Sequence, residues 1–101
     1  MDISYDNGPI RKRCGKASGK LKQRLDDMKA ASSMADLVLL PGKHHALKAN
    51  RAGTWGCHIE EPNRLVYRPL GSPVPITIDG HLELEKVTAV LLLEVIDYHD
   101  E

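Results

Sequence analysis

The sequence VTAVLLLEVIDYHDE, residues 87–101, begins with apolar side chains on both alternating faces. A strand that is apolar on both faces is buried on both sides, so the pattern predicts a central strand over residues 87–98. This strand stops on Asp97-Tyr98-His99, just before a short acidic end. Either this is an ordinary polar terminus, or the strand carries reactive groups to a surface.

Strand patterns also precede this stretch. GTWGCHI (residues 53–59) and RLVYR (residues 64–68) alternate in polarity, with the turn sequence EEPN close between them. In the first, Cys57 shares a face with Trp55 and Ile59, which predicts an inert core thiol. Asp79-Gly80 predicts a tight hairpin turn between two further short strands.

The N-terminal part of the sequence has patterns that predict helices. Residues 3–5 fit a short opening strand closed by the turn signal Asn7-Gly8-Pro9. A helix is predicted over residues 16–31, and a second from the Ser33-x-x-Asp36 capping box to Leu40. The expected fold is therefore α+β, with two N-terminal helices packed on a curved, mostly antiparallel sheet of four to five strands.

Length and composition predict one soluble domain over residues 1–101. Hydrophobic residues make up 42% and charged residues 28%, and no apolar run approaches the roughly 20 residues of a membrane helix. Two cysteines without CxxC spacing favour a reducing, cytoplasmic setting. Residues 1–55 hold eleven Lys/Arg against five Asp/Glu, and residues 56–101 hold three against nine. This asymmetry fits either a polyanion-binding surface or a solvated helix face.

Three groups of polar residues could carry chemistry, and each also has a plain structural explanation. The first is a basic loop, the second a pair of arginines on one strand face, and the third the polar strand end. They comprise Lys43, His44, His45, Lys48 and Arg51; Arg64 and Arg68; and Asp97, Tyr98 and His99. Guanidinium groups match phosphate oxygens, but salt bridges to Glu60 or Glu61 would explain the two arginines as well. No zinc spacing or Gly-rich phosphate loop is present.

Taken together, these groups resemble a known family, the HigB-like toxins of the RelE/ParE toxin–antitoxin superfamily. The resemblance rests on four linked motifs: HALK (residues 45–48), RAGTW (residues 51–55), RLVY (residues 64–67) and DYH (residues 97–99). It implies a compact fold with two N-terminal helices on a curved sheet. It also implies ribosome-dependent, metal-independent endonucleolytic cleavage of mRNA, with no cofactor, restrained by a helix-turn-helix antitoxin of the HigA type.

The resemblance also implies roles for individual residues. Acid–base and orienting work falls on His45, Asp97, Tyr98 and His99, and which of His45 and His99 is base and which acid is left open. Lys48 and Arg64 are expected to stabilise the charge of the transition state. The residues expected to bind the substrate are Lys43, His44, Arg51 and Arg68.

The chain departs from the family pattern between residues 69 and 87, where LGSPVPITIDGHLELEK forms a hairpin-like insertion. An aromatic residue usual before the strand arginine is replaced by Asn63. Two other readings therefore stand beside the nuclease. One is a non-catalytic RelE-fold binding or "killer suppression" protein, and the other, less favoured, is a ParE-like gyrase inhibitor.

Overall fold

The computed structural model describes residues 1–97, which form a five-stranded sheet with helices packed on one face. The strands are β1 (Asp2–Tyr5), β2 (His45–Ala46), β3 (Trp55–His58), β4 (Asn63–Pro69) and β5 (Ala89–Asp97). Their order is β1-β5-β4-β3-β2, and only the β1–β5 pair is parallel. Because β5 has a strand on each side, the predicted central strand is confirmed. The α+β class with a mostly antiparallel sheet is confirmed as well.

Three helices precede β2: α1 (Gly8–Gly15), α2 (Gly19–Ala30) and α3 (Met34–Leu37). The predicted helix over residues 16–31 corresponds to α2, which buries Leu21, Leu25 and Met28. The second predicted helix is reduced to the single turn α3. The predicted capping box does not form, since Ser33 makes no side-chain capping bond and Asp36 accepts the Ser32 N–H. No helix within residues 1–97 is long and apolar enough to cross a membrane.

The turn expected at Asn7-Gly8-Pro9 is instead the start of α1, so that prediction was wrong. The Asn7 Oδ1 accepts the backbone N–H of Ile10 at 3.0 Å, and Pro9 occupies the first turn. Asn and Pro favour both turns and helix starts, because a side-chain acceptor and a fixed φ serve either structure. The buried Ile10 and Cys14 then attach α1 to the core.

The core lies between the helices and one face of the sheet. Met28, Met34 and Leu37 meet Leu65, Tyr67 and Leu92, and all six are fully buried. Cys57 belongs to the same core, and burial raises the pKa of its thiol to about 12. The predicted core position of this thiol is therefore confirmed.

The segment between β4 and β5, residues 70–88, carries little regular structure. Asp79-Gly80 does form a turn, but it closes on one isolated bridge between Ile76 and Leu82 rather than on two paired strands. Pro73 and Pro75 remove backbone donors that a longer ladder would need. At the first residue of the segment, directly after β4, the Leu70 N–H donates a hydrogen bond to the carbonyl of Ala89 at the start of β5.

Candidate functional site

The face of the sheet opposite the core, which we call the site face, gathers the polar side chains. In an antiparallel ladder, residues in register lie on the same face. His45 is in register with Gly56, and Gly56 with Val66. His58 is in register with Arg64. Arg64 lies two residues before Val66 on β4, so these two side chains are on the same face of the sheet. The site face therefore carries two histidines and an arginine on three neighbouring strands.

His45 has one ring nitrogen engaged and one open. Its Nδ1 lies 2.7 Å from the Lys43 carbonyl oxygen, which can only accept a hydrogen bond. Nδ1 therefore carries the proton in the neutral ring, which leaves the Nε2 lone pair free to accept one. The residue is exposed, so this nitrogen is accessible from outside.

His58 and Arg64 share a carboxylate. The Glu61 Oε1 lies 3.6 Å from His58 Nδ1, and its Oε2 lies 3.5 Å from Arg64 Nη1. Burial and then the Arg64 charge lower the pKa of His58, while Glu61 opposes them, so the imidazole is neutral at pH 7. The rings of His58 and His45 meet edge to face with centroids 6.4 Å apart.

Arg64 is buried and held by its own strand. Its side chain is only 8% exposed, and Nη1 donates to the Asn63 carbonyl at 2.9 Å. An arginine held this way presents a positive charge that is preorganised and partly shielded from water, which strengthens its attraction for an anion. The expected salt bridge to Glu61 is present, so Arg64 has both a structural partner and the chemistry of an anion site.

The segment between β2 and β3 supplies further cations. Arg51 lies 3.6 Å from Glu94, the β5 residue in register with Val66, so it reaches across the site face. Lys43 and Lys48 flank the two-residue β2 and are exposed. Arg68, another predicted site residue, lies on the site face near the end of β4, and it too is exposed.

His44 points to the opposite side of the sheet from His45. Its Nδ1 lies 2.8 Å from the hydroxyl of Tyr67, a fully buried core residue. Burial, and secondarily the Arg24 charge, lower the pKa of His44 to about 4. This contact gives the ring a structural role, and substrate binding by His44 stays a prediction.

Asp97 ends β5 in register with Asn63. Because Arg64 and Ile96 form the neighbouring pair, Asp97 lies on the opposite face of the sheet from Arg64. It is half-buried. Tyr98 and His99 lie outside the described residues, so their predicted roles stay predictions. Of the ten predicted site residues, the structure brings His45, Arg51 and Arg64 to the centre of the site face, with Lys43, Lys48 and Arg68 around it.

Sequence reasoning missed two residues of this site, His58 and Glu94, and it named Glu61 only as a possible salt-bridge partner of the arginines. His58 follows a core cysteine in the sequence, and that pattern did not indicate function. The cross-strand register is what places His58 beside His45 and Arg64. Glu94 lies on the site face because it is in register with Val66 in the β4–β5 ladder. From there its carboxylate reaches Arg51.

The arrangement combines a proton acceptor with fixed positive charge. An imidazole with an open nitrogen can accept a proton, and a shielded guanidinium can stabilise a developing oxyanion. Among residues 1–97, no group of three or more His, Cys, Asp or Glu side chains is placed to hold a metal ion. These side chains could together bind an anion and accept a proton beside it.

Comparison with known proteins bears on the fold. No protein-family model matches the sequence, and no curated protein matches it. Among solved structures, the chain is similar to a YoeB/ParE toxin from Agrobacterium tumefaciens, with a TM-score of 0.60 and 16% sequence identity over 96% of this chain and 98% of that one. A likeness at this identity concerns the backbone arrangement alone. The chain therefore has the RelE/YoeB-like toxin fold.

Proposed function

We propose that this protein is the toxin of a type II toxin–antitoxin pair, of the HigB-like type, and that it cleaves translated mRNA on the ribosome. The observation that carries the proposal is the grouping of His45, His58 and Arg64 on the site face, with an open imidazole nitrogen beside a buried guanidinium. The toxin-like fold and the four sequence motifs support it. Such a protein acts in the cytoplasm and is restrained by a helix-turn-helix antitoxin of the HigA type.

The reaction begins with removal of a proton from a ribose 2′-hydroxyl. We assign this step to Nε2 of His45, because its Nδ1 is committed to the Lys43 carbonyl. The 2′-oxygen forms a bond to phosphorus, and the bond from phosphorus to the 5′-oxygen breaks. The products are a 2′,3′-cyclic phosphate and a 5′-hydroxyl. Proton transfer of this kind contributes about 10²–10⁴-fold to a rate.

Charge builds up on the non-bridging phosphate oxygens during this step. Arg64 is proposed to stabilise that charge together with Lys48, while Arg51 holds a neighbouring phosphate. The departing 5′-oxygen needs a proton, which we assign to His99. His58 is proposed as a further contributor, since its ring meets that of His45 and its neutral form is favoured at pH 7.

Glu61 would compete with the substrate for Arg64. In the free protein its carboxylate lies against both His58 and Arg64. A phosphate must displace this carboxylate or share the guanidinium with it. Glu61 is exposed, so moving its carboxylate away from Arg64 would expose little additional surface to water.

Expression in cells tests the function. Wild-type protein is expected to arrest growth and to produce new 5′ ends in a translated reporter mRNA, seen by primer extension. His45→Ala and His99→Ala should lose both effects. His81→Ala is the matched control, because His81 is an exposed histidine on the segment between β4 and β5 and has no part in the proposed reaction. Unchanged cleavage in both site variants would refute the assignment.

A non-catalytic binding protein is the second candidate. The observation that favours it is Glu61, because a carboxylate already occupies the guanidinium that cleavage requires. This candidate predicts no new mRNA ends in any variant. Growth arrest without cleavage would instead point to another target, with DNA gyrase as the first to assay.

A further inference from the structure

The segment between β4 and β5 encloses a cavity against the end of the sheet. The cavity has a volume of about 310 Å³, and its walls include Trp55, Arg68, Val74, Ile76 and Leu82. Trp55 begins β3 on the core face, in register with Tyr67, and Arg68 lies on the site face near the end of β4. The cavity therefore sits at the end of the sheet, where these two strands meet the segment. Without residues 70–88 most of one wall would be missing.

Among the residues that the structure describes, Arg68 is the only charged one in the lining of this cavity. It is exposed, and its guanidinium makes no hydrogen bond or ion pair with other residues in the 1–97 range, whereas Arg51 and Arg64 are paired with Glu94 and Glu61. An unpaired guanidinium beside an indole and aliphatic side chains suits a ligand with an anionic group on a flat, mainly apolar body.

Arg68 lies on the site face of β4, four residues from Arg64. At about 3.3 Å per residue, the two positions are about 13 Å apart along the strand. A few nucleotides of a single strand can span this distance. An anionic chain that contacts Arg64 can therefore continue along the same face to Arg68.

From these observations we infer that the cavity is a nucleotide subsite, in which one base of the RNA substrate packs against Trp55 and its phosphate pairs with Arg68. The inference rests on the proposed function and adds the place where a base away from the cleaved bond is held. A volume of about 310 Å³ is at the small end of ligand cavities, which suits one base rather than a larger ligand. Base–aromatic stacking is a general means of holding single strands.

An aliphatic side chain of a protein partner is the competing occupant. Ile76 is 54% exposed and Ile78 is fully exposed on the same turn. The unpaired Arg68 and its position on the site face favour the nucleotide, because an aliphatic side chain would leave the guanidinium without a partner. The protein partner is therefore an outcome of the test.

Fluorescence gives a direct test, because Trp55 is the only tryptophan in the chain. The full-length protein is titrated with the four nucleoside 5′-monophosphates while Trp55 emission is recorded. Saturable quenching is expected for at least one of them. Arg68→Ala should weaken the apparent affinity by about tenfold, the effect of losing one charge-assisted phosphate contact. Arg13→Ala is the matched control, since Arg13 is an exposed arginine on α1 outside this cavity, and it should bind as the wild type does.

Ile76→Asp is a second variant, since it places a carboxylate in the cavity wall at an exposed position that the fold can tolerate. It should also weaken nucleotide binding, while Arg68→Ala and Ile76→Asp keep the wild-type circular dichroism spectrum. Absence of saturable quenching, or equal quenching in wild type and Arg68→Ala, would overturn the inference and leave a protein partner as the occupant. The assay needs no ribosome. Cleavage without nucleotide quenching would refute the subsite alone, and quenching without cleavage would refute the proposed function alone.

Discussion

Acidification is expected to destabilise this protein through His44, whose ring packs between α2 and the sheet. Burial and Arg24 lower the pKa of His44 from 6.5 to about 4 in the folded protein. The unfolded chain therefore binds a proton more readily than the folded chain between these two values. The stability that the neutral ring confers is complete above pH 6.5 and is lost as the pH falls towards 4.

The magnitude follows from the size of this depression. At 1.36 kcal/mol for each pH unit, a fully buried ring would account for about 3 kcal/mol. Since the ring is only partly buried, solvent screening reduces the expected loss to about 1–2 kcal/mol. For a domain of this size, that corresponds to a decrease in Tm of about 5–10 °C.

The assay compares urea unfolding of wild type and His44→Asn at pH 7.5 and pH 4.5. Asparagine can keep a polar atom near the Tyr67 hydroxyl, which lies 2.8 Å from Nδ1, but it does not titrate. All other residues are the same in both proteins, so their contributions cancel in the comparison. The wild type should lose about 1–2 kcal/mol more than His44→Asn on acidification. His81→Asn, at an exposed histidine, should lose as much as the wild type. Equal losses in wild type and His44→Asn would refute the reasoning.

Four further outcomes are expected. Glu61→Gln should bind RNA more tightly at low salt, measured by filter binding, because it removes a carboxylate that lies 3.5 Å from Arg64 Nη1 and would compete with a phosphate; weaker binding would contradict a competing role for Glu61. Glu60→Ala should lower the Tm and the helical circular dichroism signal, since the Glu60 carboxylate accepts the N–H groups of Lys20 and Leu21 at the start of α2 while Ser18 makes no side-chain cap bond. Leu65→Ala, at a fully buried position, should cost about 2–5 kcal/mol in urea unfolding. Native Cys57 should resist iodoacetamide at pH 8 and react only after unfolding; rapid modification of the native protein would contradict the burial of that thiol.

The parts of the fold that follow local patterns were predictable. Apolar residues on both faces identified β5, and alternation identified β3 and β4 with the correct faces for Cys57 and Arg64. Prediction from local patterns failed where the same residues favour two different structures. Asn7-Gly8-Pro9 indicated a turn, but its side-chain acceptor and fixed φ cap a helix equally well. The strong turn signal at Asp79-Gly80 does make a turn, but its strand pairing stops at the single bridge between Ile76 and Leu82, because neighbouring prolines limit the ladder.

The candidate site was only partly predictable, because it depends on register between strands distant in sequence. His45 and Arg64 were identified by their motifs, yet nothing local connects them with His58. That neighbour appears only when β2, β3 and β4 are aligned. The adjacent residues His44 and His45 looked equivalent in the sequence. Strand alternation separates them, sending one towards the core tyrosine and the other to the site face.

The central claim is that Arg64 and the histidines around it form a site that cleaves RNA through the 2′-hydroxyl. The most direct measurement is cleavage of a defined mRNA on purified ribosomes, with fragments labelled by a kinase that accepts only 5′-hydroxyl ends. Arg11→Ala serves as the control, because that guanidinium stacks on Tyr5, at 5.0 Å from the ring centre, away from the site face. The account predicts labelled fragments with wild type and Arg11→Ala, and loss of at least 100-fold with Arg64→Ala, as for removal of one group that stabilises transition-state charge. Intact mRNA with wild-type protein, or undiminished cleavage by Arg64→Ala, would contradict it.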